Sequence, residues 1–257
     1  MVTRRRDPQP VPPPLRQGTH AGDPPESNGT VHVVSWNVRF GLEAAAAAEA
    51  LASVDMLHSA DVILLQEMDE DGTELIAERI GVNHVYGALG PHRQTGRNFG
   101  NAVLSRWPIS EPVVATLPHK SALQGQERLM LGAVVSVDSS PVVACSVHTE
   151  VPTLSPPKRR RQFEEIARAT MRWDHARLVV GGDFNTLTQR GVAAVDRAMS
   201  SVDATRVSVG ADPTLRRGSR EFSLDHVFAR GFEPLDCGVV RDLVASDHRP
   251  LWVRLRL

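Results

Sequence analysis

The chain has 257 residues, 41% of them apolar and 23% charged, with two cysteines. That length supports one large core or at most two small ones, and the cysteine count excludes a disulfide miniprotein. Lys and Arg total 29 against 30 Asp and Glu, a formal net charge of −1, so a uniformly cationic nucleic-acid coat is excluded and any attraction for phosphate has to be local.

Residues 1–30 hold seven of the eighteen prolines and almost no large apolar side chains. Burial there cannot offset the entropy of ordering, so the segment reads as a disordered, Pro-rich tail. It carries four Arg and three acids, which leaves the body, 31–257, at a net −2. The Arg4-Arg5-Arg6 run is followed by prolines and not by the roughly 7–15 apolar residues of an export signal. No apolar run approaches the roughly 18 residues of a membrane helix. Cys145 and Cys237 lie in apolar, strand-like stretches that suit reduced thiols. The expectation is a cytoplasmic protein without stable membrane association.

From Val31 the chain alternates short β-rich runs with helical stretches. Val31–Asn37 reads as a strand, and the alanine-rich stretch from Leu42 to about His58 as a helix. Asp61–Glu67 is an apolar run of the length and kind that suits a strand buried on both faces. A helix is predicted over about Thr73–Ile80, then a strand over Asn101–Ser105. Leu129–Val137 and Pro141–His148, joined by Asp138-Ser139-Ser140, read as an antiparallel hairpin. Lys158–Trp173 places Phe163, Ile166, Ala167 and Met171 at helical spacing and leads into a strand ending at Asp183. A helix over about Gly191–Met199 and strands over Ser223–Ala229 and Pro250–Leu257 complete the body. No internal repeat and no proline-rich linker follows residue 30, so a single domain is expected. Hairpins combined with strand-helix-strand units imply an α/β sandwich: two mixed sheets face to face with helices outside.

Several of these apolar strands end in polar chemistry. Asn37, Glu67, His148 and Asp183 with Asn185 close strands, whereas Asp225 and Asp247 open or flank them. A carboxylate at a buried strand end loses hydration at a cost of several kcal/mol unless a cation or donor replaces the water. Any one of these acids alone reads as readily as a turn cap or a surface acid; the repetition over six strand ends points to a shared site. Oxygen-rich ligands without a cysteine cluster select a hard divalent ion, Mg²⁺ or Mn²⁺.

Trp36-Asn37, Leu65-Gln66-Glu67, Gly100-Asn101-Ala102-Val103-Leu104-Ser105, Gly182-Asp183-Phe184-Asn185, Leu224-Asp225-His226-Val227-Phe228 and Ser246-Asp247-His248 occur in the order seen in the endonuclease/exonuclease/phosphatase superfamily. The chain resembles that superfamily from Val31 to Leu257. The resemblance implies a four-layered α/β sandwich, its two mixed sheets mainly antiparallel, and a divalent-metal-dependent phosphoester hydrolase working by in-line attack of water. It implies Glu67 as principal metal ligand, with Asn37 and Asp247 beside it. Asp183 would align or deprotonate the water, and Asn185 would hold that water or a phosphate oxygen. His248 would contact the phosphate, and Asp225 would orient and charge it. His148 resembles the histidine of the deoxyribonuclease-like, sphingomyelinase-like and tyrosyl-DNA phosphodiesterase-like branches, where it could protonate the leaving oxygen; a structural strand-end histidine is the plainer alternative.

The molecule attached to the phosphate is less legible. Three basic clusters precede or follow the site strands: His92–Arg97, Lys158–Arg161 and Arg216–Arg220. A cationic rim would focus an anionic substrate such as nucleic acid, and Arg97, Asn101 and Arg216 are the expected substrate contacts. Arginine is also this chain's general cation, 27 residues against Lys120 and Lys158, so solvated faces explain the clusters equally well. Arg128 either packs near the site or serves a structural ion pair. No aromatic cluster for stacking single-stranded bases is visible. A monomeric nuclease is the expected protein, with a lipid or inositol phosphate phosphoesterase, or an inactive scaffold of the same fold, as alternatives.

Overall fold

The computed structural model describes residues 15–26, 28–92, 95–120 and 125–257. Its elements in chain order begin with β1 (Arg16–Gly18), β2 (Thr30–Asn37), α1 (Ala44–Ser53), α2 (Asp55–His58), β3 (Val62–Met68), α3 (Glu70–Ile80), β4 (Asn83–Pro91), β5 (Asn98–Ser105) and β6 (Ile109–Thr116). They continue with β7 (Leu129–Val137), β8 (Ser140–His148), α4 (Pro156–Thr170), β9 (Arg177–Asp183), α5 (Gln189–Ser200), β10 (Thr205–Arg206), β11 (Leu215–Arg217), β12 (Arg220–Phe222), β13 (Asp225–Arg230), β14 (Glu233–Val239) and β15 (Leu251–Arg256).

One sheet has seven strands in the order β1-β4-β5-β3-β2-β15-β14, the other six in the order β10-β13-β9-β8-β7-β6, and β11-β12 form a separate hairpin. The inner faces of the two large sheets bury Val33, Leu64 and Val103 against Leu131, Ala144, Val179 and Val227. Outside the first sheet, α1, α2 and α3 pack Leu51, Leu57 and Ile76 on Val34, Ile63 and Leu65. Outside the second, α4 and α5 pack Phe163, Ile166 and Met199 on Met130, Cys145 and Val180. Each Val, Leu, Ile, Phe or Met side chain among them contributes about 1.5–3 kcal/mol on leaving water. The result is the four-layered sandwich expected from the sequence.

Among the described residues, only β2–β3 and β8–β9 pair in parallel, each across a helical crossover, and the other pairs are antiparallel. In register, Asn37 lies opposite Gln66, which in turn lies opposite Asn101. His148 lies opposite Asp183, which faces Asp225 on its other side. Both central strand pairs therefore end at the same edge of the sandwich, where β5 and β13 begin.

The structure differs from the sequence reading at several places. Residues 15–26 belong to the folded body, because β1 pairs antiparallel with Val85 and its neighbours on β4; residues 1–14 lie outside the described residues. The helix expected over Leu42–His58 is two helices, since Val54 is extended with ψ 113°. Strands β4, β6 and β14, unanticipated, carry Gly87 and Gly90, Pro112, and Pro234, residue types that weaken a strand signal and gather at sheet edges or bulges. Among the described residues, no helix is long and apolar enough to cross a membrane.

Candidate active site

Asp183 stands at the centre of the gathered residues. Its Oδ2 accepts from Asn37 Nδ2 at 3.1 Å and its Oδ1 from the backbone N–H of Asn185 at 2.8 Å. His148 Nε2 is 3.7 Å and His248 Nε2 3.9 Å from Oδ2. Burial, and then the neighbouring Asp225 carboxylate, push the Asp183 carboxyl up to about 7 despite the His248 charge. Asp225 Oδ2 lies 2.8 Å from His248 Nδ1. Burial opposes the imidazolium, yet Asp225, followed by Asp183 and Asp247, overrides it and raises His248 to about 10. His248 is thus a buried cation at neutral pH.

Local backbone geometry aims these groups. Trp36 Nε1 donates to the His248 carbonyl at 2.9 Å, and Ser246 Oγ donates to the Asn37 carbonyl at 2.6 Å, so the Ser246-Asp247-His248 loop is pinned across the end of β2. Glu67 and Asn185 hold left-handed φ of 58° and 52°, and Phe40 one of 59°. Such non-glycine conformations cost of order 1–3 kcal/mol each and cluster where function fixes the backbone. The turn at Phe40 brings its N–H to Glu67 Oε2 at 3.2 Å.

Glu67 has its carboxyl raised by burial, against the opposing influence of Arg128 and Asn37, with Asp247 adding to the rise. Asp225 Oδ1 is buried without a hydrogen-bond partner among the described residues. Glu67, Asp183, Asp225 and Asp247 gather around the His248 cation, with the Arg128–Glu150 ion pair beside them, a surplus of negative charge that a divalent ion would neutralise. The oxygen donors of Glu67, Asp247 and Asn37 suit a hard ion. Asp183, Asp225 and His248 also bring ligand-type atoms within 4.8 Å of one another, with the His248 ring held as the imidazolium by its Asp225 partner.

Arg128, buried, lies against His148, its Nη1 3.0 and 3.2 Å from the ring nitrogens, while its Nε is 3.3 Å from Glu150 Oε2. It is both of the things the sequence allowed, a neighbour of the site and half of a buried ion pair. The signal was the hairpin register, which sets Leu129 opposite His148. Burial, Arg128 and His248 hold the His148 imidazole well below its ordinary range. That shift favours the neutral ring.

Asn185 Nδ2 donates to the Thr149 carbonyl at 3.0 Å. Asn101 Nδ2 reaches the Ser146 carbonyl at 3.0 Å, so its amide N–H group stitches the two sheets together. Arg97 is salt-bridged to Asp69 at 2.6 Å and donates to the Phe40 carbonyl at 3.1 Å; Arg93, in the same basic cluster, lies outside the described residues. Arg159 braces the carbonyls of Glu150, Phe184 and Asn185. Arg216, on the exposed β11-β12 hairpin, neighbours the site because Leu215 bridges to His248. Three rings absent from the sequence reading as a group, Phe40, His92 and Phe99, meet with centroids 4.5–5.8 Å apart, and Phe99 reaches His148 at 5.7 Å. They come from three separate segments, so no local composition announces them.

Fold and site together define a phosphoesterase-like sandwich. The sequence model of the Endonuclease/Exonuclease/phosphatase family matches residues 34–248, and the chain belongs to that family, whose members are divalent-metal-dependent phosphoester hydrolases. Among solved structures, TDP2 of D. rerio complexed with a single-strand DNA product superposes with a TM-score of 0.72 at 17% identity, covering 90% of this chain and 100% of that one. A family protein from Leptotrichia buccalis gives 0.69 at 18%, covering 88% and 100%. A mannosyl-6-phosphatase from Bacteroides thetaiotaomicron gives 0.66 at 18%, again covering 88% and 100%. These likenesses show a shared fold. No curated protein matches the chain.

Proposed function

We propose that this protein is a Mg²⁺-dependent phosphodiesterase of nucleic acid, with Mn²⁺ able to substitute, acting as a cytoplasmic monomer. The observation that carries the reading is the His248–Asp225 pair set beside Asp183 and Glu67 at one sandwich edge. A fixed buried imidazolium is a preorganised partner for the negative charge that develops on a phosphate oxygen. Asp183, poised near neutral pH, accepts the proton of the attacking water, while Asn185 orients that water or a phosphate oxygen. Glu67, Asn37 and Asp247 would hold the ion, which when bound supplies positive charge at the phosphate and lowers the pKa of a coordinated water. His148, neutral, donates one hydrogen bond to the phosphate instead of giving up a proton.

The exposed Arg216, Arg217 and Arg220 on the hairpin that bridges to His248 favour a polyanionic strand over a small monoester. The unpaired thiols of Cys145 and Cys237 fit a reducing compartment. Retention of every metal and base position argues against an inactive scaffold. The test is a panel of supercoiled DNA, abasic duplex, single-stranded RNA, a 5′-tyrosyl DNA adduct, sphingomyelin and inositol phosphates, with Mg²⁺ or Mn²⁺. Cleavage of a nucleic-acid diester that vanishes with chelator and in Glu67→Gln is expected. Hydrolysis confined to lipid or inositol substrates would reassign the substrate, and hydrolysis of none would overturn the phosphoesterase reading.

A further inference from the structure

A second group of ligand-type side chains lies away from the phosphate site. His84 is on β4, Glu74 on α3, and His20 follows β1 in the N-terminal segment. In sheet register His84 pairs with Leu104, and Leu104 with Ile63, four residues before Glu67. That separation is about 13 Å along the strands alone, so these residues take no part in phosphate chemistry.

The Glu74 carboxylate is shared between the two imidazoles. Its Oε1 is 2.7 Å from His20 Nε2, and its Oε2 is 3.3 Å from His84 Nε2. The rings are parallel to within 8°, with centroids 6.0 Å apart, and one ligand atom from each of the three residues lies within 4.8 Å of the others. A further observation points to a ligand. The His84 side chain is 1% exposed, yet its Nδ1 has no hydrogen-bond partner among the described residues, a deficit worth about 1–3 kcal/mol. Gly18 on β1 lets both rings pack against its backbone: a Cβ there would overlap His84 Cε1 and stand 3.0 Å from both His84 Nδ1 and His20 Nε2.

Imidazole nitrogens with one carboxylate are the donors of borderline ions, and a His₂Glu set leaves a coordination position for water. Magnesium prefers oxygen donors throughout. We propose that His20, Glu74 and His84 form a second metal site, selective for a zinc-class transition ion over magnesium, that clamps the N-terminal segment onto the edge of the seven-stranded sheet. Binding to the closed segment and not to the open one would suppress its local opening by mass action.

The test uses the full chain in excess Mg²⁺. Zn²⁺ is titrated calorimetrically, Co²⁺ serves as a spectroscopic probe of nitrogen ligation, and hydrogen exchange is followed at the amides of Arg16–Gly18. One Zn²⁺ equivalent is expected, bound at least tenfold more weakly by His20→Gln and Glu74→Gln and unaffected by Glu67→Gln. Zn²⁺, and not further Mg²⁺, should slow exchange in β1 at least tenfold. His20→Gln alters a partly exposed side chain, so its fold and its phosphoester hydrolysis should persist. Zn²⁺ binding that survives both His20→Gln and Glu74→Gln, or that disappears in Glu67→Gln, would overturn the proposal by placing the ion at the phosphate site. Exchange in β1 indifferent to Zn²⁺ would do the same, leaving His20, Glu74 and His84 as a hydrogen-bonded relay without metal.

Discussion

Asp183 takes donors from Asn37 and the Asn185 backbone, but burial and the adjacent Asp225 still push its carboxyl up to about 7. The position that makes it a competent base also makes its charge a burden on the folded state. Asp183→Asn should therefore lower phosphoester hydrolysis by about 10²–10⁴-fold while leaving the thermal midpoint unchanged or higher. A parallel fall in both would assign the residue a structural role. His32 shows the complementary behaviour away from the site. It is buried, and burial followed by the Arg254 charge lowers it from 6.5 to about 4. Between those values the unfolded chain binds the extra proton, so stability is full above about pH 6.5 and is lost as pH falls towards 4. The loss is on the order of 2 kcal/mol at pH 5, and urea unfolding at pH 7 and pH 5 should show His32→Gln less acid-sensitive by that amount.

At the scale of elements, the parallel pair β8–β9 sets His148 against Asp183, and its approach depends on Gly182. That residue has φ 153°, and a Cβ would fall inside contact distance of the Val147 backbone carbonyl. Gly182→Ala should destabilise the protein by more than about 2 kcal/mol and weaken activity with it, measurable as a lower denaturation midpoint. The long apolar runs that became β2, β3, β8 and β9 were legible because central strands are bounded by turns and buried on both faces. The polar residues closing them were legible for the same reason, since a carboxylate after such a run needs a partner. Strands β4, β6 and β14 were not, because Gly87, Pro112 and Pro234 follow the demands of edges and bulges. Val54 split a helix that alanine content alone had joined. Phe40 and Phe99 escaped notice because tertiary folding, not spacing, brings their rings together.

For the whole molecule, the near-neutral charge conceals a separation. Acids concentrate at the sandwich edge around Glu67, Asp183, Asp225 and Asp247, whereas Arg216, Arg217 and Arg220 stand exposed on the neighbouring hairpin. Only part of the expected cationic rim is free to meet a substrate, since Arg97 is spent on Asp69 and Arg159 on backbone carbonyls. Replacing Arg216, Arg217 and Arg220 with Ala should weaken DNA binding and reduce the slope of log affinity against log salt by up to about 2–3. An unchanged slope would remove nucleic acid from the hairpin.

Strand β1 also bears on how the molecule keeps to itself. It covers Val85 and its neighbours on β4, backbone that would otherwise offer unpaired N–H and C=O groups to any extended chain. At the opposite border of that sheet, β14 is interrupted by Pro234 and a register shift before Asp236, which makes it a poor template for pairing. A chain shortened to begin at Val31 would keep every phosphate-site residue yet bare the better template. It should hydrolyse substrate as the full chain does when dilute and self-associate as its concentration rises, visible by light scattering. The few residues of β1 thus close a sheet edge, a duty unrelated to the chemistry at the other end of the strands.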